Sequence, residues 1–259
     1  MKVHQIFTDS PLRNFTYLVE GDQGHFFVLD PWDGESVMRE VQERGGLLKG
    51  VINTHEHNDH TRGNGLIVKK ANCVVYVHPN GIGKIPEANN AVEEGDKIRI
   101  DDDSFFEVLD TPGHTFAHLC LLLWTGDKAV GLFSGDTLFN AGVGNCHNGG
   151  DPSVLFETID KKLGALSDDI IVYPGHEYLG NNLGFTLKYE PENREAQALL
   201  KNYKKIDWSS EPYVTTLGEE KEINTFFRLE NEEIKKNLSL KTNDRKTVFL
   251  KLRELRNNW

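Results

Sequence analysis

A chain of 259 residues can bury a good-sized core, and one large domain carrying an appendage is expected. Lys and Arg number 29 against 40 Asp and Glu, a formal charge of −11 with no long basic tract, which argues against nucleic acid as a partner. No apolar run approaches the roughly 20 residues of a membrane span, and the polar residues within MKVHQIF (1–7) are wrong for a signal peptide, so a cytoplasmic protein without a membrane partner is expected.

From the amino terminus, Phe15 to Glu20 and His25 to Asp30 read as two strands of a hairpin, turned by Gly21-Asp22-Gln23-Gly24 and ended by Asp30-Pro31. Between Glu35 and Arg44, Val37, Met38 and Val41 fall at helical spacing, with Gly45-Gly46 as the stop. Val51-Ile52 reads as a buried strand and 73 to 77 (CVVYV) as another. Strands at 97 to 100 and 105 to 109 flank Asp101-Asp102-Asp103, which is an acidic hairpin tip and lacks the ligand spacing of a calcium loop. Beyond Tyr178 the composition turns charged and helical. Glu190-Pro191-Glu192 opens a helix with Ala196, Leu199, Leu200 and Tyr203 as its apolar face, and a turn at 224 to 229 precedes a helix at 230 to 238. The last helix, Thr247 to Trp259, sets Val248, Leu252, Leu255 and Trp259 on one face, with Arg253 and Arg256 projecting together beside it. Cys73, Cys120 and Cys146 are odd in number and form no CxxC pair, so neither a disulfide framework nor a zinc ribbon is indicated.

Metal-ligand chemistry concentrates at 54 to 60, Thr-His-Glu-His-Asn-Asp-His, directly behind Val51-Ile52. His55 and His57 are two apart, so in an extended segment both imidazoles leave one side of the backbone and can meet at one ion. Asp59 and His60 follow at a turn and suit a second ion beside the first. A helical HExxH site is excluded, because position 59 is aspartate. Three more apolar strands then run into glycine or proline turns that end in ligand types: 106–109 into His114, 130–133 into Asp136, and 170–173 into His176. Four strand ends that each deliver ligands describe a site built on the edge of a rigid sheet.

The HxHxDH motif with His114, Asp136 and His176 resembles the metallo-β-lactamase superfamily. TPGHTFAHLC (111–120), GDTLF (135–139), YPGHEY (173–178), EPEN (190–193) and TLGEEKEINTFFRL (216–229) narrow the resemblance to the glyoxalase II (hydroxyacylglutathione hydrolase) family across essentially the whole chain. The resemblance implies an α/β fold, a four-layer αββα sandwich over 1–178 as catalytic domain, followed by a small all-helical substrate-binding domain over 179–259. It assigns His55, His57 and His114 to one divalent metal ion and Asp59, His60 and His176 to another, with Asp136 between them. Neutral imidazoles and carboxylates suit zinc, and after it iron or manganese. Asp59 and Asp136 are the catalytic carboxylates, and the implied reaction is hydrolysis of a 2-hydroxyacyl thioester, S-D-lactoylglutathione first, by a metal-bridging hydroxide.

In the family, a C-terminal Arg-x-x-Lys, a Lys-x-Tyr after GDTLF and the tyrosine of GHEY hold the glutathione backbone. Here Arg253, Arg256 and Tyr178 fit, but Asn145-Cys146-His147 stands where lysine and tyrosine are expected. Asn145 and His147 therefore imply a looser grip on glutathione or another thiol carrier. Arg62 also departs from the family, as a cation near the site mouth that faces either an anionic substrate or a surface acid. His118 reads as a core histidine. The alternatives on the same fold are a mononuclear-iron persulfide dioxygenase and a hydrolase of another thioester or a lactone; a non-catalytic metal-binding module leaves seven ligands without a use. A monomer or weak homo-oligomer is expected.

Overall fold

The computed structural model describes residues 1–208 and 213–259. Six strands form the first sheet in chain order: β1 (Lys2–Phe7), β2 (Phe15–Glu20), β3 (His25–Leu29), β4 (Leu47–Ile52), β5 (Val74–Val77) and β6 (Asn90–Ala91). β1, β2 and β3 pair antiparallel, and β3 to β6 run parallel. Parallel neighbours need crossovers, here supplied by α1 (Gly34–Glu43) and by α2 (Asn58–Thr61) with α3 (Asn64–Ala71). The second sheet contains β7 (Lys97–Arg99), β8 (Ser104–Asp110), β9 (Leu119–Thr125) and β10 (Lys128–Gly135). A small hairpin, β11 (Leu138–Phe139) and β12 (Gly142–Val143), stands apart from it. β13 (Ile171–Pro174) and β14 (Thr215–Thr216) complete the sheet in the order β14-β13-β10-β9-β8-β7.

The alternation of side chains along the strands dictates the layers. In β9, Leu119, Leu121 and Leu123 face the first sheet, where they meet Tyr17, Phe27 and Ile52; Cys120 and Leu122 face the other way. In β3, Phe27 and Leu29 enter this inter-sheet core, whereas Phe26 and Val28 pack under Val37, Val41 and Ile67 of α1 and α3. Strands buried on both faces read as unbroken apolar runs for this reason. The outer face of the second sheet is covered by α4 (Pro152–Glu157), α5 (Leu179–Tyr189), α7 (Leu217–Ile223), α8 (Glu232–Asn237) and α9 (Arg245–Arg256). Leu155, Phe185, Leu217, Ile234 and Leu252 share one core with Leu122 and Leu132. α6 (Arg194–Tyr203) packs on α5 through Ala196, Leu183 and Leu179. The αββα sandwich followed by helices matches the expected class. No helix among the described residues is long and apolar enough to cross a membrane.

The β2–β3 hairpin and α1 lie where the spacing places them, and α6 begins at Arg194, capped by the Asn193 side chain. Two features of the last helix need correction. Trp259 falls beyond the end of α9 and is half exposed. Arg253 does not project into solvent with Arg256, because it is buried against the β11–β12 hairpin.

Candidate metal centre

The four strand ends do converge. The segment after β4 carries His55, His57, Asp59 and His60, the turn after β8 carries His114, the end of β10 leads to Asp136, and β13 leads to His176. His57 Nδ1 lies 2.9 Å from His55 Nε2 and 3.1 Å from His114 Nε2. In a second group, His60 Nε2 lies 3.1 Å from His176 Nε2, and Asp59 Oδ2 lies 3.3 and 3.4 Å from those two nitrogens. Asp136 stands between the groups, with Oδ1 3.3 Å from both His60 and His176 Nε2 and Oδ2 3.5 Å from His114 Nε2. Donors about 2.0–2.2 Å from a common ion, at angles between about 90° and 109°, lie roughly 2.9–3.6 Å apart, and all of these spacings fall close to or within that range.

The outward nitrogen of every one of these rings has an acceptor. His55 Nδ1 meets Thr54 Oγ1 at 3.0 Å, His57 Nε2 meets Asn148 O at 3.2 Å, and His60 Nδ1 meets Asp30 Oδ2 at 2.9 Å. His114 Nδ1 meets Asn145 O at 2.6 Å, and His176 Nδ1 meets Leu12 O at 2.8 Å. Each imidazole thus carries its proton outward and turns a lone pair inward. Lone pairs facing one another at 2.9–3.1 Å repel unless a cation lies between them. The carboxylate gives the same answer, since Asp136 Oδ1 is buried and has no hydrogen-bond donor among the described residues. Space is reserved as well: a Cβ on Gly175 would stand 2.4 Å from Asp136 Oδ1, and one on Gly135, at φ +47°, 2.6 Å from Thr54 Oγ1. The donor set fits divalent cations.

His118 is a core histidine, as expected. Nε2 accepts the Asp136 backbone N–H at 3.1 Å, Nδ1 meets the hydroxyls of Thr111 and Thr137, and burial holds the ring neutral. Asp59 Oδ2 accepts from Asn14 Nδ2 at 2.8 Å. Burial works against the Asp59 carboxylate, and the hydrogen bond from Asn14 stabilises it.

Of the five residues expected at the substrate, Tyr178 lies against the second ligand group and Arg256 lies near Tyr178. The Tyr178 ring stacks on His176 at 4.9 Å and 4°, with Phe139 edge-on to it at 5.2 Å. Arg256 donates to Asn182 Oδ1 at 3.0 Å and lies close enough to Tyr178 for the two to interact electrostatically. Arg253 is engaged inside the protein: Nη1 donates to Val143 O at 2.8 Å and Gly144 O at 2.9 Å, while Nε and Nη2 both reach Asn257 Oδ1. Asn145 and His147 are exposed on the next loop, where Asn145 Oδ1 accepts the His147 backbone N–H. Cys146 between them is half-buried beside Arg253, and burial pushes its thiol up to about 11, so it offers no thiolate at neutral pH. The Arg62 guanidinium lies 4.2 Å over the Trp32 ring.

Known proteins match this chain from end to end. Residues 9–176 fit the metallo-beta-lactamase superfamily, and residues 177–259 fit the hydroxyacylglutathione hydrolase C-terminus. A hydroxyacylglutathione hydrolase of Nitrosococcus oceani is 44% identical over 266 residues, covering 100% of both chains. The chain belongs to the hydroxyacylglutathione hydrolase family. Among solved structures it is similar to ETHE1 from Myxococcus xanthus, with TM-score 0.67 and 27% identity over 99% of this chain and 98% of that one. It is also similar to TTHA1623 in a di-iron-bound form, with TM-score 0.60 and 26% identity over 87% and 100%.

As a hydroxyacylglutathione hydrolase family member the protein is a metal-dependent hydrolase, and its candidate metal ligands rest on partners the motifs do not include. Asp30 is the main one. Its carboxylate accepts from Thr54 N at 2.8 Å and Thr54 Oγ1 at 2.7 Å as well as from His60, so one buried group aims both ends of the histidine-rich segment. The sequence does offer a signal, because Val28-Leu29-Asp30-Pro31 is a fifth apolar strand that runs into a turn with a carboxylate. Asp30→Asn keeps the shape and removes one acceptor. It is expected to weaken metal binding roughly 10–100-fold, as loss of such outer partners does. Chelator competition measures this, and parental affinity in the variant would show that His60 needs no such support.

Proposed function

We propose that this hydroxyacylglutathione hydrolase family member cleaves the thioester of a 2-hydroxyacyl glutathione, S-D-lactoylglutathione first, to the hydroxy acid and glutathione. Residues 1–178 are the catalytic domain in this reading, and 179–259 are the helical substrate-binding domain. The observation that carries it is the pair of three-ligand groups sharing Asp136, set beside Tyr178 and Arg256 at the edge of the helical segment. His55, His57 and His114 would hold one ion and Asp59, His60 and His176 the other. All donors are nitrogen or oxygen, which suits zinc and accommodates iron or manganese. Two divalent ions held there supply Lewis acidity and a nucleophilic water at neutral pH.

The chain's own groups do the rest. Asp59 Oδ2, steered by Asn14, stays ionised and accepts a hydrogen bond from the attacking water, which orients its lone pair. Arg256 and the Tyr178 hydroxyl hold the carboxylate end of the thiol carrier. The leaving thiol has a pKa near 8.5, so it departs as thiolate with little general-acid help. Asn145 and His147 contribute an amide and an imidazole to the cleft rim in place of a cation and a phenol, and the glutathione end is held correspondingly loosely. Three free cysteines, two of them buried, fit a reducing cytoplasm.

A thioester panel tests this reading. Purified protein is expected to carry close to two divalent ions per chain and to turn over S-D-lactoylglutathione faster than the same acyl group on other thiol carriers. One iron per chain, with sulfite released from glutathione persulfide, would overturn the assignment.

A further inference from the structure

The stretch TLGEEKEINTFFRL is distinctive in sequence, yet it supplies no ligand and no cleft side chain named so far. Two of its residues converge on the tip of the β11–β12 hairpin. Glu220, fully buried, accepts from Ala141 N at 2.9 Å, from Asn224 Nδ2 at 3.0 Å and from Thr215 Oγ1 at 2.7 Å. Asn224 Nδ2 also donates to Gly142 O at 3.1 Å. Asn140 completes the tip: its Nδ2 donates to Thr215 Oγ1 at 2.8 Å, and its carbonyl accepts from Asn182 Nδ2 at 2.9 Å. Asn182 is the residue that receives Arg256. A continuous buried chain of hydrogen bonds therefore runs from Glu220 through Thr215, Asn140 and Asn182 to the guanidinium.

The hairpin tip needs such support. Ala141 sits at φ +58°, a left-handed conformation that a residue with a Cβ adopts only where the surroundings hold it. Phe139, just before the tip, stands edge-on to His176 at 5.8 Å and to Tyr178 at 5.2 Å, so movement of the tip reaches the site wall. None of the hydrogen-bond donors to Glu220 is a cation, and burial pushes its carboxyl up to about 7. An apolar side chain would fill this place at lower cost. The carboxylate contributes two oxygens that take three donors around a strained turn.

We infer that Glu220 is a positioning residue: it fixes the Asn140–Gly142 turn and, through Asn140 and Asn182, the Arg256 guanidinium that grips the carboxylate end of the substrate. The second half of this inference rests on the thioesterase reading above.

Glu220→Gln keeps the volume and leaves one acceptor oxygen for three donors. Backbone amides of 138–144 are expected to exchange with solvent about tenfold faster than in the parent. Metal content should stay at the parental level. KM for a glutathione thioester should rise about fivefold while kcat stays within about twofold, the signature of lost uniform binding. In an Arg256→Ala background the KM effect should vanish, because the two changes act on one contact. Thr215→Val, which cuts Asn140 from Glu220 without changing volume, should shift exchange and KM in the same direction and serves if the first variant fails to fold. Unchanged exchange in these variants, or a KM effect that survives in the Arg256→Ala background, overturns the inference. A parent that turns over no glutathione thioester defeats the substrate assignment instead, and the exchange comparison, which uses no substrate, still decides whether Glu220 holds the turn.

Discussion

Asp136→Ala is expected to lose bound metal and thioesterase activity together, with kcat/KM down about a thousandfold or more, some 4 kcal/mol of transition-state stabilisation. The reason is its place between the two ligand groups. One oxygen faces His60 and His176, the other faces His114, and the first has no donor among the described residues. Removing the side chain takes a ligand from both groups at once, so loss of one ion alone is not the expected pattern. The fold should survive, because the backbone N–H of residue 136 still reaches His118 Nε2 in the alanine variant. Asp136→Asn separates charge from shape: it keeps one oxygen donor and removes the negative charge, and an intermediate metal affinity is expected. Elemental analysis on the same preparations used for kinetics decides the matter. Parental occupancy of two ions in Asp136→Ala would show that the carboxylate does not join the groups.

The candidate ligand cluster was legible in the sequence because its residue types are rare and their spacing regular. Each stands just past an apolar strand, and four such junctions single out one edge of a sandwich before any coordinates exist. The same reasoning reaches Asp30 but not the other groups that aim the ligands. His57, His114 and His176 are held by the backbone carbonyls of Asn148, Asn145 and Leu12, and a carbonyl belongs to every residue type. The loop at 145 to 148 stood out for the side chains it lacks, whereas its backbone supports two ligands of the first group.

Elements escaped the sequence reading for similar physical reasons. β1 is an edge strand, and His4 and Gln5, one on each face, meet Glu20 and Tyr17, so no apolar run announces it. α3 is short and follows α2 closely, with residues of the core confined to Asn64 and Ile67. β9 hid in plain view, since a strand buried on both faces has neither the alternation of a half-exposed strand nor the length of a helix. In α9 the spacing correctly paired Val248 with Leu252, but periodicity does not show what a neighbouring flank meets. The flank bearing Arg253 meets the β11–β12 hairpin, so the guanidinium expected to project beside Arg256 donates to the carbonyls of Val143 and Gly144 instead.

That burial sets the last expectation. Arg253→Ala should destabilise the protein by about 2–4 kcal/mol, because it strips donors from the carbonyls of Val143 and Gly144 and leaves them buried. For a chain of this size that corresponds to a fall in Tm of roughly 6–12 °C. The damage should extend to the metal centre, since Gly144 leads directly into Asn145, whose carbonyl orients His114, and metal affinity should fall with stability. Arg256→Ala is the contrast. Among the described residues the Arg256 side chain makes one hydrogen bond, to Asn182, and it is less deeply enclosed, so Tm and metal content should move little while KM rises and kcat holds. Two arginines one turn apart on one helix would then separate cleanly, one acting on the loop and the other on the substrate. Thermal melts and metal analysis on both variants test the division. If Arg253→Ala melts with the parent and only raises KM, the guanidinium serves the ligand and its bonds to Val143 and Gly144 are incidental.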